Sequence, residues 1–256
     1  MSRDFEFNGV KLSDIGAVIT EKPSYTLSFR ELAFTSLPGK SGDFITDKQR
    51  FKNLTVSYKI SSIPSLCDYN AQLFAYRLSE WLLTSYDYKI LRDTNNIGYF
   101  RKAVCTEISK PTVEASGMVW TTVTFNCEPF LYSENGTESI SYSATSSNSY
   151  AINATLLNQE MWDSEPLIEI VPTGAVKLSI TINDITVTFT ESFSNAVTID
   201  VPERNIYYSQ TLQPCNNIVS AMKLPLLKSG ENTIITIPIN TSNDYVLKIT
   251  PNWRRL

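Results

Sequence analysis

Alternating hydrophobic and polar residues dominate this chain and predict a mainly β protein. In residues 54–60 (LTVSYKI), polar and apolar side chains separate onto opposite faces, as in a strand that covers a core. Residues 119–127 alternate in the same way. Their apolar face carries Val119, Val123, Phe125 and Cys127. Both segments are therefore predicted to be strands of a sheet.

One segment instead has the three- and four-residue spacing of an amphipathic helix. Its apolar stripe consists of Leu66, Tyr69, Leu73, Phe74, Leu78, Trp81 and Leu82. Ser65 and Asp68 are spaced as a capping box, which places the start of the helix there. The sequence thus predicts one helix, over about 65–83, with its stripe packed in the core.

Two hairpins are predicted from turn signals between strand-like segments. The turn at 93–96 (DTNN) separates an aromatic strand around 86–90 from a strand at 99–108. Asn183 and Asp184 tolerate the positive φ of a two-residue turn. They lie between segments 176–182 and 185–189. Further strands are predicted at 167–171, 196–201, 233–239 and 245–250. This spacing of short strands is typical of a β-sandwich.

Composition indicates two domains. Residues 133–149 are rich in Ser, Thr and Asn, with little apolar periodicity. The net charge also changes, from +1 before residue 131 to −5 afterwards. We therefore expect an N-terminal β domain with one helix at 1–132, a linker at 133–149, and a C-terminal β-sandwich at 150–256.

Overall composition excludes several function classes. The 256 residues are 42% hydrophobic, enough for a sizeable core, and include no histidine. Histidine-based zinc sites and Ser-His-Asp or Cys-His catalysis are therefore ruled out. The net charge of −4 argues against specific nucleic-acid binding. The first residues lack the apolar core of a secretory signal, and no long apolar run predicts membrane insertion.

The four cysteines are Cys67, Cys105, Cys127 and Cys215, and none forms a C-x-x-C pair. We interpret them as buried thiols. Cys105 and Cys127 both lie in predicted strands, so a bridge between them is geometrically conceivable. A chain without a secretory signal is expected to fold in a reducing compartment, which favours free thiols.

Candidate catalytic carboxylates were sought because two of them can hydrolyse glycosides without histidine. The candidates are Asp43 with Asp47, and Glu160 with Asp163 and Glu165. Both groups lie in polar stretches where solvated charges are expected. The Gly-containing segment 38–42 (PGKSG) lacks the spacing of a phosphate-binding loop and is predicted to be a loop tip. We therefore assign no catalytic residue, no metal ligand and no cofactor, and expect a protein that is not an enzyme.

Several short blocks, in this order along the chain, resemble the distal tail proteins of siphophages, the Dit family. In the first half they are 5–9 (FEFNG), 14–16 (DIG), 81–83 (WLL), 91–93 (LRD), 99–104 (YFRKAV) and 123–130 (VTFNCEPF). In the second half they are 166–170 (PLIEI), 199–200 (ID), 226–234 (LLKSGENTI) and 249–255 (ITPNWRR). The resemblance covers essentially the whole chain.

The resemblance implies an N-terminal domain that forms a homohexameric ring and a C-terminal sandwich like those of galectins and carbohydrate-binding modules. Such a ring joins the tail tube protein to the tail-tip protein at the distal end of the virion tail, and leaves a channel for DNA. Receptor-binding proteins or host carbohydrate are further partners, and assembly takes place in the host bacterial cytoplasm. Galectin sugar sites are built around a histidine, so here the likeness concerns the fold alone.

Two alternatives stay open from the sequence. The first is a carbohydrate-binding module that recognises host cell-wall sugars through exposed aromatic residues, for which Trp162 and Trp253 are candidates. A histidine-free glycosidase ranks far behind it. Within the ring hypothesis, a DNA-attracting rim is the alternative to a passive channel. Its cations would be Arg30, Lys40, Lys48, Arg50 and Lys52.

Overall fold

The computed structural model describes residues 4–63, 70–114, 117–221, 223–239 and 242–256. It divides into two compact units, of which the first extends to Leu131 and the second covers Tyr132–Arg255. Within the described part of the chain, regular structure is mostly antiparallel β-strand with a single α-helix. The predicted mainly β class is confirmed.

The helices and strands of the first unit follow the alternation of the sequence. The helices are a 3₁₀ helix (Leu12–Ile15) and α1 (Ala71–Leu82). The strands are β1 (Phe5–Phe7), β2 (Val10–Lys11), β3 (Ala17–Ile19), β4 (Ser24–Tyr25), β5 (Arg30–Thr35), β6 (Phe44–Phe51), β7 (Leu54–Ser62), β8 (Lys89–Asp93), β9 (Tyr99–Ile108), β10 (Thr112–Val113) and β11 (Val119–Cys127). The next strand, β12 (Leu131–Ser133), begins at the last residue of this unit's main segment and continues into the second.

The main sheet of the first unit has the order β2-β1-β8-β9-β11-β7-β3, with β10 beside β11 and β4 beside β7. Strands β7 and β11 are antiparallel, with Val56 opposite Phe125 and Tyr58 opposite Val123. All four side chains are fully buried. Both strands predicted from strict alternation are therefore confirmed.

Aromatic side chains form the centre of this first core. Phe5 stacks on Tyr58, with ring centroids 4.6 Å apart, and on Trp81 at 5.5 Å. Phe125 meets the edge of the Phe5 ring at 5.7 Å. The Trp81 Nε1–H also donates a hydrogen bond to the Phe7 carbonyl oxygen over 3.0 Å. These contacts join the first strand, the helix and the central strands.

The helix begins later than predicted. The backbone of Asn70 is extended and its side-chain Oδ1 accepts a hydrogen bond from the Leu73 N–H over 2.8 Å, so Asn70 is the N-cap. The described helix therefore starts at Ala71, whereas the predicted start at Ser65, with Leu66, Asp68 and Tyr69, lies outside the described residues. Of the predicted stripe, Phe74, Leu78 and Leu82 are buried, Trp81 is partly buried, and Leu73 is exposed.

The hairpin around residues 93–96 is confirmed, because β8 and β9 pair antiparallel with Leu91 opposite Arg101. Its first strand begins at Lys89, however, and the preceding Tyr86 and Tyr88 are exposed. The aromatic residues before Lys89 are thus not part of the strand.

The second unit is built almost entirely of strands. They are β13 (Ile140–Ala144), β14 (Ile152–Asn158), β15 (Leu167–Pro172), β16 (Leu178–Ile182), β17 (Ile185–Phe189), β18 (Val197–Asp200), β19 (Asn205–Tyr208), β20 (Val219–Ser220), β21 (Gly230–Pro238), β22 (Tyr245–Thr250) and β23 (Arg254–Arg255). Short 3₁₀ helices occur at Glu134–Thr137, Ser146–Asn148 and Asn216–Ile218.

Two antiparallel sheets form the predicted sandwich of this unit. Their orders are β13-β22-β15-β18-β19 and β14-β21-β16-β17-β20. Buried aliphatic residues from both sheets, such as Ile168 and Ile180, share one core. Strands β16 and β17 form the predicted hairpin, and Asn183 adopts a φ of 54° in its turn.

The segment 133–149 is not an unstructured linker. It contains β13, which pairs with β22 so that Tyr142 lies opposite Leu247. Because β13 is an edge strand with mostly exposed or half-exposed side chains, its sequence carries little apolar periodicity. Composition alone therefore could not distinguish it from a loop.

Three cysteines, Cys105, Cys127 and Cys215, are buried free thiols, as interpreted from the sequence. Burial raises the pKa of Cys127 to about 12 and that of Cys105 to about 11, so both stay protonated near neutral pH. Cys67 lies outside the described residues.

We expect Leu82→Ala to lower the free energy of unfolding by roughly 2 to 5 kcal/mol, because its fully buried side chain would leave a cavity. Trp81→Ala should cost roughly 3 to 5 kcal/mol, through lost stacking on Phe5. The control is the exposed neighbour, Leu83→Ala, which should stay within about 0.5 kcal/mol of wild type. Urea unfolding measures all three, and wild-type stability of Leu82→Ala would contradict the core assignment.

Candidate functional site

The carboxylates considered for catalysis are instead partners in local structure. The Asp43 carboxylate accepts a hydrogen bond from the Ser36 hydroxyl over 2.9 Å. Asp47 accepts from the Gln49 N–H, which lowers its pKa, and pairs with Arg30. Glu165 pairs with Arg254 over 2.7 Å. These contacts give the groups structural roles.

Asp163 also has a local partner, and Glu160 contacts the same serine through its main chain. An Asp163 carboxylate oxygen accepts a hydrogen bond from the Ser229 N–H over 3.2 Å. The Glu160 carbonyl oxygen accepts one from the Ser229 hydroxyl over 2.7 Å. Among the described residues, no group of three or more Cys, Asp or Glu side chains could hold a metal ion. No described helix is long and apolar enough to cross a membrane.

The two tryptophans considered for sugar stacking are at least partly covered. Trp253 packs against the aliphatic core of the second unit, and a Cβ on Gly136 would lie 2.4 Å from the Trp253 nitrogen. Trp162 is half-buried. Neither side chain is a free stacking platform.

The most exposed structured segment is the hairpin formed by β5 and β6. These two strands pair only with each other in the described structure and belong to neither unit's larger sheets. None of residues 24–53, all of which are described, is buried. The segment 38–42 forms the loop at its tip, as predicted, with Gly39 and Gly42 at positive φ. We call β5, β6 and this loop the arm.

One face of the arm carries three apolar side chains beside Asp47, whereas Phe44 lies on the other face. Phe34 lies directly opposite Ile45, and Leu32 shares their face two residues away. These side chains are 61%, 57% and 38% exposed, respectively. We call them the apolar face of the arm. An isolated two-stranded ribbon is marginally stable in water, and exposed apolar patches mark interaction sites. This face is therefore the best candidate for a protein interface.

The opposite face of the arm is organised around Glu31. Its carboxylate pairs with Lys48 over 2.7 Å and with Arg50 over 2.6 Å. These two hydrogen bonds lower the pKa of Glu31 to about 2. The Glu31 side chain is little exposed because its two cationic partners cover it on the surface of the arm. The Glu31 carboxylate is thus covered by its two ion-pair partners on the arm and not by a hydrophobic core.

The five cations considered for a DNA-attracting rim all belong to the arm or its immediate ends. Arg30 pairs with Asp47 at 2.5 Å and lies over the Phe51 ring at 5.1 Å. Together with the two partners of Glu31, three of the five are engaged within the arm. The structure thus neutralises much of the charge that the sequence displays there.

The sequence pattern predicts the loop at the tip of the arm but not the two strands β5 and β6. The available signal was the alternation of Leu32 and Phe34 before the turn and Ile45 after it. Charged residues interleave with this short alternation, so no strand was assigned. Its significance comes from exposure, which only the tertiary structure reveals.

No protein-family model and no curated protein sequence matches the chain. Among solved structures, it matches the crystal structure of the SPP1 Dit protein (gp 19.1) with a TM-score of 0.69. The match covers 100% of both chains at 12% sequence identity. The chain has a Dit-like fold. SPP1 Dit is described as a paradigm of the hub adsorption apparatus of phages that infect Gram-positive bacteria.

The Dit-like fold confirms, at the level of architecture, the resemblance found in the sequence blocks. Because the match extends over the whole of both chains, both units take part in it. An identity of 12% leaves the side chains of the arm free to differ, so their chemistry is a property of this chain.

We expect the Glu31 carboxyl to titrate near pH 2 in the folded protein, against about 4.5 in the unfolded chain. Since the folded pKa is lowered, the stability that Glu31 contributes is fully present above pH 4.5. It is lost as the pH falls towards 2. Carboxyl ¹³C NMR titration measures this pKa. In the Lys48→Met/Arg50→Met control it should return towards 4.5, and wild-type titration near 4.5 would contradict the ion pairs.

Proposed function

We propose that this chain is a structural distal tail protein of a siphophage. Six copies form a ring at the end of the tail, join the tail tube to the tail-tip and adsorption apparatus, and leave a channel for DNA. The observation that carries the proposal is the full-length match to the SPP1 Dit fold. The resemblance of the sequence blocks to the Dit family supports the proposal independently, because it rests on residue patterns and not on the fold.

The arm supplies a physical reason for ring formation. Its apolar face is not shielded by the arm's own two strands, so covering it with another surface would be favourable. If that surface lies elsewhere on an identical copy, the contact is heterologous, and repeating it generates a ring when the rotation between copies closes. We therefore assign ring formation to the N-terminal domain, 1–132, and the apolar face of the arm to its subunit contact.

The proposed partners follow from this arrangement. They are the chain itself, the tail tube protein and the tail-tip protein, with receptor-binding proteins or host carbohydrate as further candidates for the C-terminal domain. The protein would act in the virion, at the distal end of the tail, after assembly in the host bacterial cytoplasm. Its role would be structural rather than enzymatic. The absence of histidine and the structural engagement of the candidate carboxylates support that assignment.

We expect the purified wild type to form a ring of six 28.8 kDa chains, visible by negative-stain microscopy and native mass spectrometry. Phe34→Ser should weaken assembly about 30-fold, or about 2 kcal/mol, because it removes an aromatic anchor from the apolar face. Phe44→Ser is the matched control, since Phe44 is 54% exposed on the opposite face of the arm. A wild-type monomer at micromolar concentration in physiological salt would sink the ring proposal. Equal effects of the two variants would refute the choice of face.

We expect the assembled ring to bind duplex DNA more weakly than about 1 μM at about 0.15 M salt. Three of the five arm cations are paired with acidic side chains, so few are available for phosphates. Glu31→Gln would release Lys48 and Arg50 and should strengthen binding with a steeper salt dependence. Fluorescence anisotropy at several salt concentrations measures both proteins. Submicromolar, strongly salt-dependent binding by the wild type would refute a passive channel.

A further inference from the structure

The arm is attached to the core through Tyr25. This residue ends β4, which pairs with β7 and immediately precedes the arm in the chain. Its hydroxyl donates a hydrogen bond to the Asp93 Oδ2 over 3.0 Å. The hydroxyl of the buried Tyr58 donates to the same oxygen over 2.9 Å. One carboxylate oxygen therefore joins the root of the arm to the centre of the first core.

The turn that follows β8 holds this carboxylate in place. The other oxygen, Asp93 Oδ1, accepts hydrogen bonds from the Asn95 N–H at 2.9 Å and the Asn96 N–H at 3.0 Å. The Asn96 side-chain amide adds a third bond at 3.1 Å. With both oxygens engaged, the carboxylate has a fixed position and presents a rigid acceptor to Tyr25.

The chemistry of the two tyrosines suits this arrangement. Partial desolvation raises the pKa of Tyr25 and full burial raises that of Tyr58, and the negative charge of Asp93 raises both further. Both hydroxyls therefore stay protonated near neutral pH and can donate hydrogen bonds. The carboxylate accepts from them without competition from ionised phenols.

A half-buried cation, Arg101, lines the same small cavity as this carboxylate. The Arg101 Nε and Nη1 atoms are buried and have no hydrogen-bond partner within the described part of the chain. A cavity of about 10 Å³, with room for no more than one water, is lined by Arg101, Asp93 and Tyr58. Burial lowers the pKa of Arg101, and the charge of Asp93 opposes that effect. Asp93 thus provides a counter-charge for a guanidinium that would otherwise be costly to bury.

We propose that Asp93 is the positioning residue of the arm, with Arg101 as its buried counter-charge across this cavity. The turn fixes the carboxylate, the carboxylate fixes Tyr25, and Tyr25 fixes the direction in which the arm leaves the core. The effect on ring assembly rests on the proposed function, whereas the anchoring of the arm does not. The turn residues 93–96 thereby gain a role that reaches beyond their own hairpin.

Hydrogen exchange of the full-length Phe34→Ser variant tests the anchor separately from assembly. The reporters are the Thr26 N–H, bonded to the Thr55 carbonyl, and the Lys52 N–H, bonded to the Phe29 carbonyl. Adding Tyr25→Phe should accelerate their exchange at least fivefold. Tyr76→Phe is the matched control, because it removes a hydroxyl that accepts a hydrogen bond from the Gln72 side chain within α1, outside the arm. Equal exchange rates in the Phe34→Ser/Tyr25→Phe and Phe34→Ser/Tyr76→Phe variants would overturn the proposal.

A double-mutant comparison tests the counter-charge. Asp93→Asn and Arg101→Met should each lower the thermal midpoint, because each leaves the other group buried without its opposite charge. The double variant should lower the thermal midpoint by clearly less than the sum of the two single losses. A loss equal to that sum would overturn the pairing of Asp93 with Arg101. If Asp93→Asn does not fold, the Tyr25→Phe exchange still decides the anchor. If the wild type forms no ring, but the Thr26 and Lys52 amides still exchange faster after Tyr25→Phe, only the proposed function is refuted.

Discussion

The constraint on which this structure depends is the uncovered apolar face of the arm. A larger sheet can bury one face against a second layer, as both units of this protein do. The arm has two strands and no such layer, so Leu32, Phe34 and Ile45 remain in water. Only another surface can remove that cost. This uncovered hydrophobic surface is the feature of the chain on which the proposed assembly rests.

The two faces of the arm solve different physical problems. On one face, apolar side chains supply a surface that gains by being covered. On the other, Glu31 and its two cationic partners form a compact charge cluster that remains soluble without presenting unpaired cations. An arm with five cations in its sequence is therefore less basic in effect than its composition indicates. The pairing is compatible with a surface that DNA passes without being held.

An exposed arm also needs a rigid mount, because a flexible one would lose conformational entropy at every contact it makes. The aromatic cluster of Phe5, Tyr58, Trp81 and Phe125 provides a stiff base. Tyr58 belongs both to this cluster and to the Asp93 hydrogen-bond network. Core packing and the direction of the arm are consequently joined through one side chain. The second unit has its own, mainly aliphatic core.

The sequence by itself determined the mainly β class, the strands at 54–60 and 119–127, both predicted hairpins and the buried thiols. In each of these, a local pattern is enough, because alternation or turn chemistry directly specifies one burial state. It did not identify Asn70 as the cap of the described helix, and it assigned the edge strand β13 to a linker. It also left the arm unassigned. Glu31 pairs with cations 17 and 19 positions away, and the hydroxyls of Tyr25 and Tyr58 meet Asp93 from 68 and 35 positions away. The exposure of Phe34 likewise depends on which surfaces the folded chain leaves uncovered. Only the tertiary structure could decide them, since spatial proximity across such separations is a property of the folded sheet and not of any local pattern.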